Sequence, residues 1–193
     1  MVWNVVHRVN GLAAAGRDPP PDRGTKEIGR HDLGVESDGA FQLRDYTSGA
    51  GPVCRQILEA LPHWFGIPES VRDFVAVADH SPSVVASLDG ADVGITTVVI
   101  HSPYAAEVYV MGVRPEYHRR GIGRMMLGHV EHGLAQARVE YLPVKTLSAA
   151  KPDAGYERTR AFYLSHGFRP LQEFPDLWDT QNPALQMIKL VTG

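Results

Sequence analysis

The sequence predicts an α/β fold of the mixed α+β kind: a sheet of six or seven strands flanked by about four helices. Alternating apolar segments recur along the chain, stretches with helical apolar spacing fall between them, and glycine or proline marks many of the junctions. The most informative junction lies between Ala106 and Leu134. There an alternating strand, Ala-Glu-Val-Tyr-Val-Met-Gly-Val, leads through Arg-Pro-Glu-Tyr to the loop His-Arg-Arg-Gly-Ile-Gly-Arg (118–124) and an amphipathic helix.

In chain order, residues 1–40 differ from the rest. Asp18-Pro-Pro-Pro-Asp22 and scattered glycines break any period, which predicts a flexible extension or translated upstream sequence, with a short strand over Trp3–Val9. A domain over 41–193 follows, and its roughly 155 residues suffice for one core. Phe41–Tyr46 alternates as a strand. Pro52–Leu61 has helical spacing with proline in its first turn, and Pro68 opens a second helix with Val71, Phe74, Val75 and Ala78 on one face. Strands over Ser83–Leu88 and Val93–His101 flank Asp89-Gly90, a dipeptide suited to tight hairpins. The strand over 107–113 ends at Arg114-Pro115, because proline cannot donate to a ladder. Ile122, Met126, Val130 and Leu134 form the apolar face of a helix reaching about Arg138. Tyr141–Leu147 is a strand, and Tyr156–His166 a helix closed by Gly167 in left-handed geometry. Phe168–Glu173 and Gln186–Val191 complete the strands, joined by a loop containing proline and tryptophan. The order is β-α-α-β-β-β-α-β-α-β-β.

A formal charge of −3 argues against a general nucleic-acid binder, which carries a large basic excess. The arginines at 114–124 suit one phosphate group better. Cys54 is the only cysteine, so no internal disulfide forms and a reducing, cytoplasmic setting is expected. It shares the helical pattern of Val53, Ile57, Leu58 and Leu61, which suits a packed thiol. No run of about eighteen apolar residues predicts a membrane span.

A strand delivering a glycine loop onto a helix start gathers unpaired N–H groups at the positive end of the helix dipole. Gly121 and Gly123 let a phosphate approach the backbone, while Arg119, Arg120 and Arg124 add charge. A nucleotide-binding P-loop would need Lys-Ser/Thr after Gly123, where Arg124-Met125 stands. A dinucleotide fingerprint would need glycine at Met126. The pattern is therefore a pyrophosphate cradle of another kind, or a surface turn at a helix start.

With these residues in place, the chain resembles the GNAT superfamily of acetyl-CoA-dependent N-acyltransferases. Val-Arg-Pro-Glu-Tyr-His-Arg-Arg-Gly-Ile-Gly-Arg (113–124) is similar to the family's Gln/Arg-x-x-Gly-x-Gly/Ala loop. Arg-Ala-Phe-Tyr-Leu-Ser-His-Gly-Phe (160–168) is similar to its Phe-Tyr-x-x-x-Gly-Phe helix end. The element order also fits, so the resemblance implies a GNAT-type mixed, mostly antiparallel sheet splayed between strands four and five. It covers 41–193. His118 stands where the family usually has Gln or Arg, and Tyr156 where an Asn often bonds the pantetheine arm.

The resemblance implies N-acetyl transfer from acetyl-CoA to a primary amine by direct attack in a ternary complex. Met111, Gly112 and Val113 would take the place of the bulged fourth strand, their amides bonding the pantetheine and the developing oxyanion. His118, Arg119, Arg120, Gly121, Ile122, Gly123 and Arg124 would hold the pyrophosphate. Tyr163, protonated at neutral pH, would act as general acid on the leaving thiolate; the alternative is an aromatic packed beside Phe162 and Phe168. Glu107, fourteen residues before Gly121 as in members with a strand-four glutamate, would be the base; the alternative is an exposed strand-end residue. Tyr109 shares its face and could line the acceptor site. His129 and His132 lack the carboxylate or cysteine partners of a metal set, so no metal is expected. In the resemblance, the acceptor wall comprises Pro62-His-Trp-Phe-Gly-Ile-Pro68 and Phe174-Pro-Asp-Leu-Trp-Asp179. With Glu173, Asp176 and Asp179 it would suit a cationic amine, small molecule or protein. Neither nucleic acid nor membrane is an expected partner, and a homodimer stays open. The rival from another class is a non-catalytic acyl-CoA-binding regulatory or sensing module.

Overall fold

A computed structural model describes residues 41–191, so the N-terminal extension and the strand expected at Trp3–Val9 lie outside the described residues. The described elements follow the expected order: β1 (Gln42–Tyr46), α1 (Gly51–Glu59), α2 (Pro68–His80), β2 (Ser83–Leu88), β3 (Ala91–Ser102), β4 (Ala105–Val113), a 3₁₀ turn (Pro115–Tyr117), α3 (Ile122–Gln136), β5 (Tyr141–Leu147), α4 (Ala154–Ser165), β6 (Arg169–Asp179) and β7 (Asn182–Leu190). No described helix is long and apolar enough to cross a membrane.

One seven-stranded sheet runs in the order β1-β2-β3-β4-β5-β7-β6. Asp89 and Gly90 both take left-handed backbone, φ 49° and 79°, which a two-residue hairpin turn requires, and they fold β3 back onto β2. Every neighbouring pair is antiparallel except β4 and β5.

Helices cover both faces. On one, Cys54, Ile57, Leu58 and Leu61 from the first helix region and Val71 and Ala78 from α2 pack on Val85, Ile95 and Val110. On the other, Ile122, Met126, Leu127, Val130 and Leu134 of α3, with Tyr163 of α4, pack on Val98, Ala106, Val108, Leu142, Val144 and Met187. The apolar stripe read from the sequence is thus the buried face of α3. Each fully buried side chain of this size contributes about 1.5–3 kcal/mol.

The fourth strand changes face part-way. Val98 pairs with Val108 and Thr97 with Val110, leaving Tyr109 without a partner. This extra residue is a β-bulge, so Val108 faces α3 while Val110, two residues on, faces α1. The irregularity therefore sits at Tyr109, a correction to the placement at Met111–Val113. Those three residues pair in regular register with Gly94–Thr96.

Beyond the bulge the sheet opens. Parallel β4 and β5 are registered only at Ala105↔Tyr141 and Val108↔Val144. Past those pairs β3 retains Val110–Val113 while β7 retains Lys145–Leu147, and the two strands part. This is the splay between strands four and five that the resemblance implied.

The C-terminal end corrects another expectation. Phe174–Asp179 is not a loop but the second half of β6, joined to β7 by a turn at Thr180-Gln181. Pro175 suggests a break in sequence; β6 is the edge strand, where one missing N–H is tolerated. The helix expected from Tyr156 begins two residues earlier, at Ala154, because Asp153 caps it by accepting from the Tyr156 N–H at 2.9 Å. Gly167, at φ 89°, ends it as expected.

Candidate active site

The loop between β4 and α3 is shaped for an anion. The His118 ring donates from Nε2 to the Val113 carbonyl at 2.7 Å, tying the loop to the strand it leaves. Arg119 and Gly121 then take left-handed backbone, φ 64° and 82°, on either side of Arg120. Such alternation turns successive N–H groups towards a common point. Left-handed geometry costs a non-glycine residue about 1–2 kcal/mol, so its presence at Arg119 is strain held at one place in the loop. No side chain caps α3, and its first backbone bond joins the Met125 N–H to the Gly121 carbonyl. The amides of Ile122, Gly123 and Arg124 are therefore left without helical partners.

The two glycines serve different ends. A Cβ on Gly121 would meet nothing within 4 Å, so its backbone conformation and the open approach matter there. One on Gly123 would lie 3.2 Å from Met111 Cε and 3.3 Å from the Phe162 ring. Gly123 thus lets the start of α3 close against β4 and α4. Of the arginines, Arg120 lies over the Phe41 and Tyr117 rings at 5.3 and 5.6 Å, and the buried Arg114 Nε has no partner. Uncapped amides and paired left-handed residues suit an anion such as a diphosphate.

The gap between β4 and β5 begins beside this loop. On the β4 side, Gly112 is needed for packing: a Cβ there would meet Leu61 at 3.0 Å and Ile57 at 3.2 Å. On the α4 side, Tyr163 is buried between Phe162 and Phe168, with ring centroids 5.3 and 5.2 Å away. Burial alone pushes its phenol well up, so it is protonated at neutral pH. Packing and a protonated hydroxyl coexist here. Thr146 on β5 carries a buried hydroxyl without a hydrogen-bond partner.

Across the narrow end of the gap lies a cluster of Glu107, Lys145 and His101. Glu107 is not an exposed strand-end residue; it is 4% exposed. Its Oε1 accepts from Lys145 Nζ at 2.6 Å, and its Oε2 lies 2.7 Å from His101 Nε2. Burial pushes the Glu107 carboxyl up, but the His101 hydrogen bond and the Lys145 charge outweigh it and leave it below the usual value. Ala106, Val108 and Val144 face α3, so the alternation places Glu107 and Lys145 together on the α1/α2 face. The signal for Lys145 was present: it is the one charged residue of an otherwise uncharged strand, Tyr-Leu-Pro-Val-Lys-Thr-Leu. Tyr109 shares this face, packing edge-on against Phe74 of α2 at 5.7 Å.

The loop between α1 and α2 bridges both sides of the gap. Tyr156 donates from its hydroxyl to the Trp64 carbonyl at 3.0 Å, and burial pushes that phenol to about 12. His63 Nε2 lies 3.3 Å from Asp153, and Trp64 meets His118 edge-on at 5.8 Å. Trp64 thus links α4 to the loop between β4 and α3. Of the acidic residues considered for the acceptor, Glu173 accepts from the Ser148 hydroxyl and Asp179 bonds Gln181 and Asn182 within the β6–β7 turn.

Elsewhere, His129 pairs with Asp45 at 2.8 Å and His132 with Gln136 at 2.9 Å. Among the described residues, no group of three or more His, Cys, Asp or Glu could hold a metal ion. Cys54 is fully buried, and burial raises its thiol to about 12, as a packed core residue requires.

The family model "Acetyltransferase (GNAT) domain" matches residues 79–170, spanning β2 to β6 with the loop and the gap. Residues 79–170 carry a GNAT acetyltransferase domain. The chemistry of that family is the transfer of an acyl group from acetyl-CoA. The ribosomal-protein-S18-alanine N-acetyltransferase of Escherichia coli superposes with a TM-score of 0.65 at 18% identity, covering 80% of this chain and 96% of that one. Ard1 of Thermoplasma volcanium gives 0.64 at 16%, covering 80% and 99%. A GNAT family acetyltransferase of Elizabethkingia anophelis, solved with acetyl-CoA bound, gives 0.61 at 13%, covering 78% and 97%. At these identities the likeness speaks for the GNAT fold. No protein of curated function matches the sequence.

Proposed function

We propose that this GNAT domain moves an acetyl group from acetyl-CoA to a primary amine by direct attack in a ternary complex. The observation that carries the reading is the parting of β4 and β5 after Val108↔Val144, next to the uncapped start of α3. Acetyl-CoA supplies the activated thioester. The amides of 119–124, with His118 and the arginines, hold its diphosphate, and Met111, Gly112 and Val113 line the path of the pantetheine. Glu107 receives the acceptor's proton, and Tyr163 returns one to the departing thiolate. In support, the environment drives these two groups apart: Glu107 is ionised at neutral pH and Tyr163 protonated. Glu107 also already holds an ammonium, that of Lys145, so its position suits a cationic nitrogen.

The acceptor is a small-molecule or protein amine, reached from the α1/α2 face beside Tyr109 and Phe74. A cytoplasmic setting belongs to the same proposal. A thiol-release assay with acetyl-CoA over a panel of primary amines tests it. Amine-dependent release of CoA is expected. Acetyl-CoA that raises the melting temperature without release from any amine would instead establish a binding module.

A further inference from the structure

We propose that Lys145 is a self-acetylation site, the chain's own acceptor when no external amine is present. The inference rests on acetyl-CoA entering the gap between β4 and β5, as above, and on three observations. Val108↔Val144 is the last registered pair before the strands part; Lys145 is the next residue on β5 and Glu107 the preceding residue on β4. The Lys145 side chain crosses from one strand to the other there, placing Nζ 2.6 Å from Glu107 Oε1. The second carboxylate oxygen lies 2.7 Å from His101 Nε2, and the imidazole is 36% exposed. A primary amine therefore sits at the narrow end of the gap, on a proton acceptor with a connected path to solvent.

The step balances. The Lys145 ammonium gives one proton to Glu107, which passes it through its other oxygen to His101 and water. The Nζ–C bond forms at the acetyl carbonyl carbon, the nitrogen gives up its second proton by the same route through Glu107, the C–S bond breaks, and the thiolate takes a proton from Tyr163, which is reprotonated from solvent. The products are a neutral acetyl-lysine, free CoA and one proton. Loss of the lysine charge leaves Glu107 with His101 as its remaining partner.

The test incubates the full chain with acetyl-CoA and no amine, and follows acetylation at each lysine by mass spectrometry. Uncatalysed acylation favours the exposed Lys151 over Lys145, whose side chain is 29% exposed. The proposal expects the reverse, with Lys145 modified roughly tenfold faster or more, as an amine held beside the thioester should be. Lys145→Arg, which keeps the charge and so the fold, should remove the modification, and Glu107→Gln should slow it. Acetylation confined to lysines other than Lys145 would overturn the proposal. An enzyme that turns over an external amine but leaves Lys145 unmodified when incubated with acetyl-CoA alone would overturn it too, while leaving the proposed function standing. Absence of both acetyl-CoA binding and thiol release would overturn the two together.

Discussion

Replacing Glu107 with Gln tests the cluster at the narrow end of the gap as a stability element. The carboxylate is nearly inaccessible and accepts from Lys145 at 2.6 Å, with His101 at 2.7 Å. Removing one partner of a buried ion pair costs about 3–5 kcal/mol, because the other charge is stranded. Lys145 is partly exposed, so its ammonium regains some hydration in the variant, and the expected loss falls to about 2–3 kcal/mol. At about 2–4 °C per kcal/mol for a chain of this size, the melting temperature at pH 7 should drop by about 4–12 °C. The pH dependence has a definite sign. Glu107 has a lower pKa folded than unfolded, so its contribution is complete above the unfolded value near 4.3 and is lost as pH falls through the folded value. Circular-dichroism melts should show a constant gap between wild type and variant from pH 6 to 8 that closes on acidification. Lys145→Met in the same background should recover part of the loss, since removing both charges strands neither. An unchanged melting temperature at pH 7, or a gap that widens in acid, would refute the ion-pair account.

Tyr163→Phe should lower kcat by about 10²-fold or more while the thermal shift given by acetyl-CoA stays as in wild type, because the variant loses only a proton donor. Gly121→Ala should cost about 1–2 kcal/mol in chemical denaturation, from its left-handed backbone, and weaken acetyl-CoA binding measured by calorimetry. Cys54 should stay unreactive towards a thiol reagent in the native protein and react on unfolding in denaturant; rapid native labelling would contradict its burial.

The legible parts of this chain were those where local chemistry decides. Asp89-Gly90, Gly167 and the Ile122–Leu134 stripe each announce one backbone geometry, and the structure has all three. The backbone turn at 118–124 was legible for the same reason, since its glycines and its helix start are contiguous. Misreadings arose where pairing decides. Trp178 and Pro175 suggest a loop by composition, but the segment stays extended within the edge strand, which β7 pairs on either side of it at Phe174 and Asp179. The bulge at Tyr109 follows from register with β3, which has no signature within β4 itself. Glu107 was found by its spacing from Gly121, whereas its partners lie 38 residues on and 6 residues back, joined only through the sheet.

That pairing also shapes how the reaction should respond to pH. A carboxylate held below its usual pKa by Lys145 and His101 is a weak base, and a protonated aliphatic amine has a pKa several units higher. Each unit of mismatch costs about 1.4 kcal/mol, so complete transfer from ammonium to Glu107 is uphill by several times that. Glu107 can then accept the proton only in passing, on its way to His101 and water. The kcat/KM for an alkylamine should therefore climb with pH towards the pKa of the amine, with no plateau just above the titration of the carboxylate. Glu107→Gln should lower the profile without moving its rising limb. A wild-type profile that is already flat at pH 6, with an alkylamine acceptor, would mean that Glu107 is a stronger base than its neighbours allow, and that Lys145 swings away when the acceptor binds.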